Sequence, residues 1–299
     1  MLKVGAGVVH YRFWPAVRPT LDALLAQTRP PDRIVVIENG SGDGSAQAIR
    51  ETYPRLDVVA VAENRGPIGG MNLILDELAE TDVDAILLLT HETLLAPDAL
   101  EALLARLAQD DAIGVVGPLL GYSSRPDELW SAGGLISPAD WETDHFIDPP
   151  RISQWVGRAP READWLDGAC LLYRAAAVRA TGRLNERFFM MFDEPDYQLR
   201  MRSLGWRAEC VPAAVAWQEP GEKPPYIFTR NRLGFLARRA PRQQLLRELS
   251  RQCYDLVRDG LSPRPGRGGR RHALLRAQGT LDFVRNRWGR PPATLIGRR

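Results

Sequence analysis

Short apolar runs alternate with amphipathic segments along the first 118 residues of the chain. In the amphipathic segments apolar side chains recur at helical spacing, whereas the runs between them are continuous and bounded by turn residues. This alternation predicts an α/β fold with a mostly parallel sheet flanked by helices on both faces. The predicted strands are residues 3–9, 33–38, 56–62, 84–90 and 113–118. The predicted helices are residues 20–27, about 44–53, about 68–79 and 97–109.

The alternation stops after residue 118. Residues 119–163 are rich in Pro, Gly, Ser and Trp, and a strand or turn pair is predicted around 129–137. We therefore expect one half at about 1–118, a second half at about 119–225 and a helical C-terminal extension at 226–299. The remaining predicted strands are residues 164–174, 207–212 and 214–218, and the extension is expected to be interrupted by the turn-rich stretch 260–269.

The composition is that of an ordinary soluble globular protein, since 44% of the 299 residues are hydrophobic and 25% are charged. The longest apolar runs are too short to span a bilayer, and the N-terminus lacks the layout of a secretion signal. Three widely spaced cysteines, Cys170, Cys210 and Cys253, argue against a disulfide framework or a zinc site. We expect a cytoplasmic protein.

A net charge of +2 conceals a strongly basic C-terminal extension. Residues 226–299 contain 18 Arg and four acidic residues, which leaves an acidic balance for residues 1–225. Such a segment is compatible with a solvated face, a binding site for a polyanionic substrate or a surface that contacts an anionic membrane. Nucleic acid is disfavoured as a partner because no recognisable binding motif accompanies the charge.

Two glycine-rich loops follow consecutive predicted strands. The first, VVIENGSGDGS, places Glu38 and Asn39 at the end of a buried strand, where a carboxylate can accept hydrogen bonds from a base edge or ribose hydroxyls. An ordinary turn with Asp43 or Ser45 as N-cap explains this motif equally well. The second, ENRGPIGGMN, indicates a ligand crevice shared with the first loop. It contributes Asn64, Gly69, Gly70 and Asn72.

A third loop follows the leucine-rich strand in LLLTHETLLAPDAL, where the chain continues into Thr90, His91 and Glu92. A carboxylate at this point can meet a hard divalent cation, which prefers oxygen ligands, and Glu92 is the candidate. His91 is more often an ordinary loop residue than a metal ligand in such a position.

In RFFMMFDEPDYQLRMRSLGW, a run of apolar residues directly precedes three carboxylates. Burying unpaired carboxylates beside aromatic surface is costly, so Asp193, Glu194 and Asp196 either start a helix or are held half-buried for chemistry. Pro195 suits the first helical position, and an acid at 196 suits the helix dipole. Glutamate is a poor capping residue, so a purely local explanation fits Glu194 badly.

Taken in order, these motifs resemble those of the family 2 inverting glycosyltransferases with the A-type fold, and within them the rhamnosyltransferase-like branch. The resemblance covers roughly residues 4–240 and also includes WLDGACLLYR and VPAAVAWQEPG. It implies that residues up to about 118 bind the nucleotide and that residues 119–225 meet the acceptor. In such enzymes the second member of an acidic pair is the catalytic base, which here is Glu194, preceded by Asp193.

The resemblance also assigns the remaining site residues and the substrates. The partners implied are a nucleoside-diphosphate sugar donor, with rhamnose or a similar hexose or deoxyhexose, and a glycan, lipid-linked or small-molecule acceptor. The residues expected in the nucleotide pocket are His10, Tyr11, Glu38, Asn39, Asn64, Gly69, Gly70, Asn72, Thr90 and His91. Glu92 is expected at the metal position. Trp165, Asp167 and Gly168 are expected near the sugar and the acceptor.

Three positions depart from the family pattern. The metal triplet reads Thr-His-Glu, the acidic pair reads Asp-Glu, and Gln218 stands where a metal-binding His is usual. An amide is a poorer metal ligand than imidazole, so we expect weak or absent dependence on Mg²⁺ or Mn²⁺. Arg230 and Arg232 are expected to hold the diphosphate instead by bidentate hydrogen bonds.

Other interpretations of the sequence stay open. A non-catalytic relative that binds nucleotide or glycan as a scaffold would explain the three departures, whereas the retained acidic pair favours an enzyme. A nucleotidyltransferase would need a basic glycine-rich loop after the first strand, which VVHYRFWP does not provide. The basic amphipathic stretches 238–260 and 270–290 suit an anionic membrane at the inner face of the cell, packing on the domain, or a homodimer.

Overall fold

The computed structural model describes residues 2–261 and 269–296. The strands are β1 Val4–His10, β2 Arg33–Glu38, β3 Asp57–Ala60, β4 Ala85–Thr90, β5 Leu94–Leu95, β6 Ile113–Tyr122, β7 Arg125–Ser131, β8 Gly134–Ile136, β9 Thr143–His145, β10 Arg161–Ala163, β11 Cys170–Arg174 and β12 Arg207–Trp217. The α-helices are α1 Arg18–Leu25, α2 Ser45–Thr52, α3 Gly66–Ala79, α4 Ala99–Gln109, α5 Ala175–Thr181, α6 Asp193–Ser203, α7 Pro225–Arg239, α8 Arg242–Leu261, α9 Arg270–Val284 and α10 Ala293–Ile296.

One large mixed sheet organises the fold, in the order β10-β12-β6-β11-β4-β1-β2-β3. Strands β3, β2, β1 and β4 are parallel, as the sequence pattern predicts for the first half. Strand β11, which follows a long connection through the second half of the chain, lies antiparallel between β4 and β6. The residues just before β11 therefore lie at the same edge as the carboxyl ends of β1 to β4.

Both faces of the sheet are covered by apolar side chains. Alternate residues of the central strands feed two buried clusters: Val9 and Val35 belong to one, and Val8 and Val36 to the other. Helix α3 lies especially close to β1, since a Cβ at Gly7 would stand 2.0 Å from the Ile74 side chain. Continuous apolar strands with helices on each face are the packing expected of a buried parallel sheet.

Two predicted strands have different bounds in the structure. The stretch 164–174 is not one strand, because residues 164–169 form a loop between β10 and β11. The predicted pair 207–212 and 214–218 forms the single strand β12, which carries an irregularity between Val211 and Val215. The predicted break at 260–269 lies mostly outside the described residues.

The C-terminal extension begins inside the core. Helix α7 contributes Phe235 and Leu236 to the cluster that also contains Phe188 and Phe192, and α8 and α9 pack against α7. Among residues 2–261 and 269–296, no helix combines the length and apolarity needed to cross a membrane.

Candidate functional site

The glycine-rich loops after β2 and β3 are joined to each other by asparagine side chains. Asn39 Nδ2 donates to Gly66 O (3.0 Å) and to Asn64 Oδ1 (3.3 Å), and its Oδ1 accepts from Arg65 N (3.0 Å). Asn64 Oδ1 also accepts from Gly66 N at 2.7 Å. The side chains of Asn39 and Asn64 thus hold the two loops side by side at the carboxyl ends of β2 and β3.

Two further candidates lie at the ends of β1 and β2. His10 and Glu38 are partners in the parallel register, and both are buried. Glu38 Oε1 accepts from Ser41 N at 2.9 Å, whereas neither ring nitrogen of His10 has a hydrogen-bond partner. Burial, helped by nearby His91, lowers the pKa of His10 to about 4, so its imidazole is neutral at pH 7. Tyr11, next along the chain, is half-buried.

The loop after β4 connects these residues to the second half of the chain. The ring of His91 lies 5.9 Å from that of His10, centroid to centroid. Thr90 Oγ1 and Thr93 Oγ1 are hydrogen-bonded at 2.8 Å, and Thr93 Oγ1 donates to Ala169 O at 3.0 Å. The loop before β11 is thus attached directly to the loop that follows β4.

Glu194 lies against the loop that precedes β11. A Cβ at Gly168 would stand 2.6 Å from Glu194 Oε1, so a side chain at this position would displace the carboxylate from where it lies. Asp167 is close enough for the charge of Glu194 to raise its pKa, although burial is the larger cause, and together they bring it to about 7. The structure therefore brings together Asp167, Gly168 and Glu194.

Burial and like charge act on the acidic pair at the start of α6. Burial raises the pKa of Glu194 well above the usual value, and the adjacent Asp193 charge raises it further. Burial also raises the pKa of Asp193. Asp196 differs, because its fully buried Oδ1 accepts from Arg239 Nε at 2.6 Å and lies 3.4 Å from Arg238 Nε. Asp196 thus binds α6 to α7.

Gln198 is a residue of this site that the sequence interpretation missed. Leu166 N donates to Gln198 Oε1 and Gln198 Nε2 donates to Leu166 O, both at 2.8 Å. The two bonds fasten the loop 164–169 to α6, one helical turn after Glu194. Gln198 could have been recognised from the sequence because it lies four residues after Glu194, a spacing that places both side chains on one face of a helix.

Trp165, within this loop, is buried. Its ring lies 4.7 Å from that of His145, and His145 Nδ1 lies 2.9 Å from Ser131 Oγ. Burial, with a smaller effect of the Lys223 charge, lowers the pKa of His145 to about 4. The Lys223 charge partly offsets the rise in the pKa of Asp167. An exposed cation of the segment after β12 therefore acts on this part of the site.

The structure corrects the expectations for two polar residues. Arg230 does not face the crevice: its guanidinium is buried and donates to the carbonyl oxygens of Gly289 and Phe188 at 3.0 and 3.2 Å. Asn72 is fully buried and uses its amide on Leu184 and Glu186. Both side chains direct their polar groups to hydrogen bonds within the protein and not to a ligand.

Three other expected ligands have packing roles. Arg232, the proposed companion of Arg230, is buried and donates to the carbonyl oxygens of Trp141 and Asp140. Gly69 and Gly70 lie within α3, where a Cβ at Gly70 would stand 2.5 Å from Val9. Gly70 therefore serves close packing of the helix on β1, whereas a Cβ at Gly69 would stand 2.6 Å from the Arg65 side chain.

The described residues contain no group of three His, Cys, Asp or Glu side chains arranged to hold a metal ion. Glu92 is 55% exposed, and its Oε1 lies 3.5 Å from His91 Nε2. The donor set at the expected metal position is therefore one carboxylate, one imidazole and a threonine hydroxyl already bonded to Thr93.

The chain belongs to the family described as glycosyltransferase like family 2, whose profile matches residues 6–244. An N-acetylglucosaminyl-diphospho-decaprenol L-rhamnosyltransferase of Mycobacterium tuberculosis H37Rv is 26% identical over 223 residues, which cover 69% of this chain and 72% of that protein. Together they identify the chain as a glycosyltransferase, which argues against the scaffold alternative.

Solved structures share the glycosyltransferase A-type fold of this chain. GalNAc-T7 with UDP, GalNAc and Mn²⁺ superposes with a TM-score of 0.61 at 11% identity, covering 95% of this chain and 56% of that chain. The mannosyltransferase PcManGT of Pyrobaculum calidifontis, in complex with GDP-Man and Mn²⁺, gives 0.58 at 16% identity over 95% and 88%. S. aureus TarS 1-349 with UDP-GlcNAc gives 0.54 at 14% identity over 95% and 74%.

Proposed function

We propose that this glycosyltransferase moves a sugar from a nucleoside diphosphate to a hydroxyl acceptor with inversion, and that Glu194 is the general base. The observation that carries the proposal is the contact of the Glu194 carboxylate with the backbone at Gly168, beside Asp167. The proposal is supported by the position of the loop that contains Gly168 at the carboxyl ends of the parallel strands, the edge where ligands of such folds bind. Its raised pKa makes Glu194 a stronger proton acceptor than an ordinary glutamate.

The chemistry follows from this arrangement. The acceptor hydroxyl transfers its proton to a Glu194 oxygen as its own oxygen attacks the anomeric carbon. The bond from that carbon to the diphosphate breaks on the opposite face, and the nucleoside diphosphate leaves with the bonding electrons. The charge of Asp193 raises the pKa of Glu194, which favours uptake of the proton.

The test combines donor binding with turnover. A thermal-shift screen against UDP, GDP, dTDP and their sugars identifies the donor, and release of the nucleoside diphosphate then measures transfer. Glu194→Gln should retain donor affinity within a factor of two and lose roughly 10²–10⁴-fold in kcat, the usual contribution of a positioned base. Turnover close to wild type in this variant would remove Glu194 from the base role.

The relative's name supports a finer proposal for the substrates. We take L-rhamnose as the sugar and a polyprenol diphosphate-linked saccharide as the acceptor, because the M. tuberculosis relative is named for such a reaction. The C-terminal helices supply a surface for a lipid-linked acceptor. On α8, Leu246 and Val257 are 62% and 63% exposed, and on α9, Leu274 and Val284 are 70% and 68% exposed, in a segment rich in Arg.

We also propose that transfer depends weakly on Mg²⁺ or Mn²⁺. Glu92 is paired with His91, and Gln218 occupies the position of the usual histidine ligand. Lys223 is the cation whose charge acts on Asp167, and it is exposed on the segment that follows β12. Such a cation can stabilise a departing diphosphate.

Metal dependence is measured directly by transfer in EDTA. We expect the rate to stay within a factor of two of the untreated enzyme, with no more than a small gain on adding MnCl₂. A complete loss that MnCl₂ reverses would contradict the proposal while leaving the role of Glu194 standing.

A further inference from the structure

The segment directly before α6 adopts an unusual backbone conformation. Phe189, Met191 and Phe192 have φ angles of 67°, 67° and 64°, all in the left-handed region. Side chains with a Cβ rarely occupy this region, because the Cβ approaches the following carbonyl oxygen. Three such residues in four positions persist only where the surroundings hold them. They lie immediately before Asp193 and Glu194.

A single side chain from α7 gathers the carbonyl groups of this segment. Asn231 is fully buried, and its Nδ2 lies 2.8 Å from Phe188 O, 2.6 Å from Met190 O and 3.3 Å from Met191 O. Its Oδ1 accepts from Arg230 Nε at 3.0 Å. Two amide hydrogens thus serve three carbonyl oxygens that converge because the backbone turns left-handed.

Arg230 reinforces this contact and explains its own burial. Its Nη2 donates to Phe188 O at 3.2 Å, and its Nη1 donates to Gly289 O at 3.0 Å. Aspartate at 231 would offer no donors, and an apolar residue would leave buried carbonyl groups unpaired. The chemistry of this position therefore calls for an amide.

We propose that Asn231 is a positioning residue that fixes the left-handed segment 189–192 and thereby directs Glu194 toward Gly168. The inference rests on the proposed role of Glu194. It makes α7 a working part of the transfer site, although α7 lies in the C-terminal extension and contributes no group to the reacting atoms.

Hydrogen–deuterium exchange with mass spectrometry tests the positioning without any substrate. In Asn231→Ala the amides of residues 187–195 should exchange at least tenfold faster than in wild type, whereas those of β1 to β4 should not change. Gln252→Ala is the matched control: it removes a buried amide that binds Glu248 and Arg276 in α8 and α9, far along the chain from this segment. Unchanged exchange at 187–195 in Asn231→Ala would overturn the inference.

Kinetics separate positioning from simple loss of stability. With the donor found in the screen, Asn231→Ala should lower kcat at least tenfold and keep the donor Kd within a factor of two. Gln252→Ala should keep the wild-type kcat. Adding Met191→Gly to Asn231→Ala should recover part of kcat, because glycine tolerates the left-handed conformation. A kcat loss of equal size in both alanine variants would overturn the inference.

The variant Glu194→Gln distinguishes failure of the two proposals. It should lower kcat roughly 10²–10⁴-fold and leave exchange at 187–195 as in wild type. If it retains turnover, the role of Glu194 as base fails, while the exchange result still decides whether Asn231 holds the segment.

Discussion

Three carboxyl groups at the start of α6 and in the loop before β11 share one partly buried volume. Gathering Asp167, Asp193 and Glu194 there disfavours their charged forms, and folding must offset that cost. No arginine or lysine forms an ion pair with any of them among the described contacts, in contrast with Asp196, which is paired with Arg239. Such a cluster is better explained by proton transfer than by stability, because a paired or apolar group would be more stable there.

The raised pKa of Asp167 predicts a stability that falls as the pH rises. The folded protein holds this proton up to about pH 7, whereas the unfolded chain releases it near pH 4, so between these values folding binds more protons. The contribution is therefore complete below about pH 4 and lost as the pH passes about 7. Thermal unfolding from pH 4 to 8 should show a smaller decline of Tm in Asp167→Asn than in wild type. Parallel curves for the two proteins would contradict this prediction.

The sequence identified the residues whose chemistry is unusual for their local setting. Glu194 was predicted because glutamate is a poor cap, but the cap residue is Phe192, and Glu194 lies in the first turn of α6, where an acid suits the helix dipole. The structure places its carboxylate beside Gly168. Arg230 was assigned to the diphosphate because a guanidinium suits that ligand, yet it is buried against Phe188 and Gly289. Residue type alone does not reveal which partner a side chain meets more than 40 residues away.

At the scale of elements, the loop 164–169 depends on α6. The sequence pattern predicted a continuous strand through this stretch, because Trp165, Leu166 and the following apolar residues suit a buried strand. Instead, Asp167 Oδ1 accepts from Ala169 N at 3.0 Å and Gln198 binds both backbone groups of Leu166. These contacts replace strand pairing, and the second of them is invisible to a local pattern.

Removing this attachment should destabilise the protein. Gln198→Ala leaves the buried N–H and C=O of Leu166 without partners, which should lower the free energy of unfolding by about 2–5 kcal/mol. Urea denaturation measures the change. Gln244→Ala is the control, because Gln244 Nε2 donates to Ala139 O at an exposed site, and its effect should stay within about 0.5 kcal/mol. Equal effects of the two variants would show that the attachment is not needed.

At the scale of the whole molecule, the apolar residues on α8 and α9 predict binding to anionic lipid. Vesicles containing phosphatidylglycerol should carry the protein upward in flotation, whereas phosphatidylcholine vesicles should not, because the extension is rich in Arg. A variant with Leu246→Ser, Val257→Ser, Leu274→Ser and Val284→Ser should float much less with unchanged Tm, and a truncation at residue 240 should not float. Flotation that all of these changes leave intact would contradict the prediction.

The overall architecture was predictable because each strand and helix of the first half shows its own characteristic spacing of apolar residues. The order of β11 and β12 in the sheet was not, since their partners are chosen by contacts between distant segments. The division at residue 225 remains a prediction. Phe235 and Leu236, which follow that position, belong to the main apolar cluster.

The burial of α7 has a practical consequence for protein engineering. Anyone exchanging the C-terminal portion between relatives, for example to alter which acceptor is recognised, would choose the junction from sequence at the end of β12. A junction there would place the α7 of one parent against the apolar residues before α6 of the other parent. The packing between these two segments would then be lost. Joining the parents between Ala240 and Arg242 keeps that helix with its own partner.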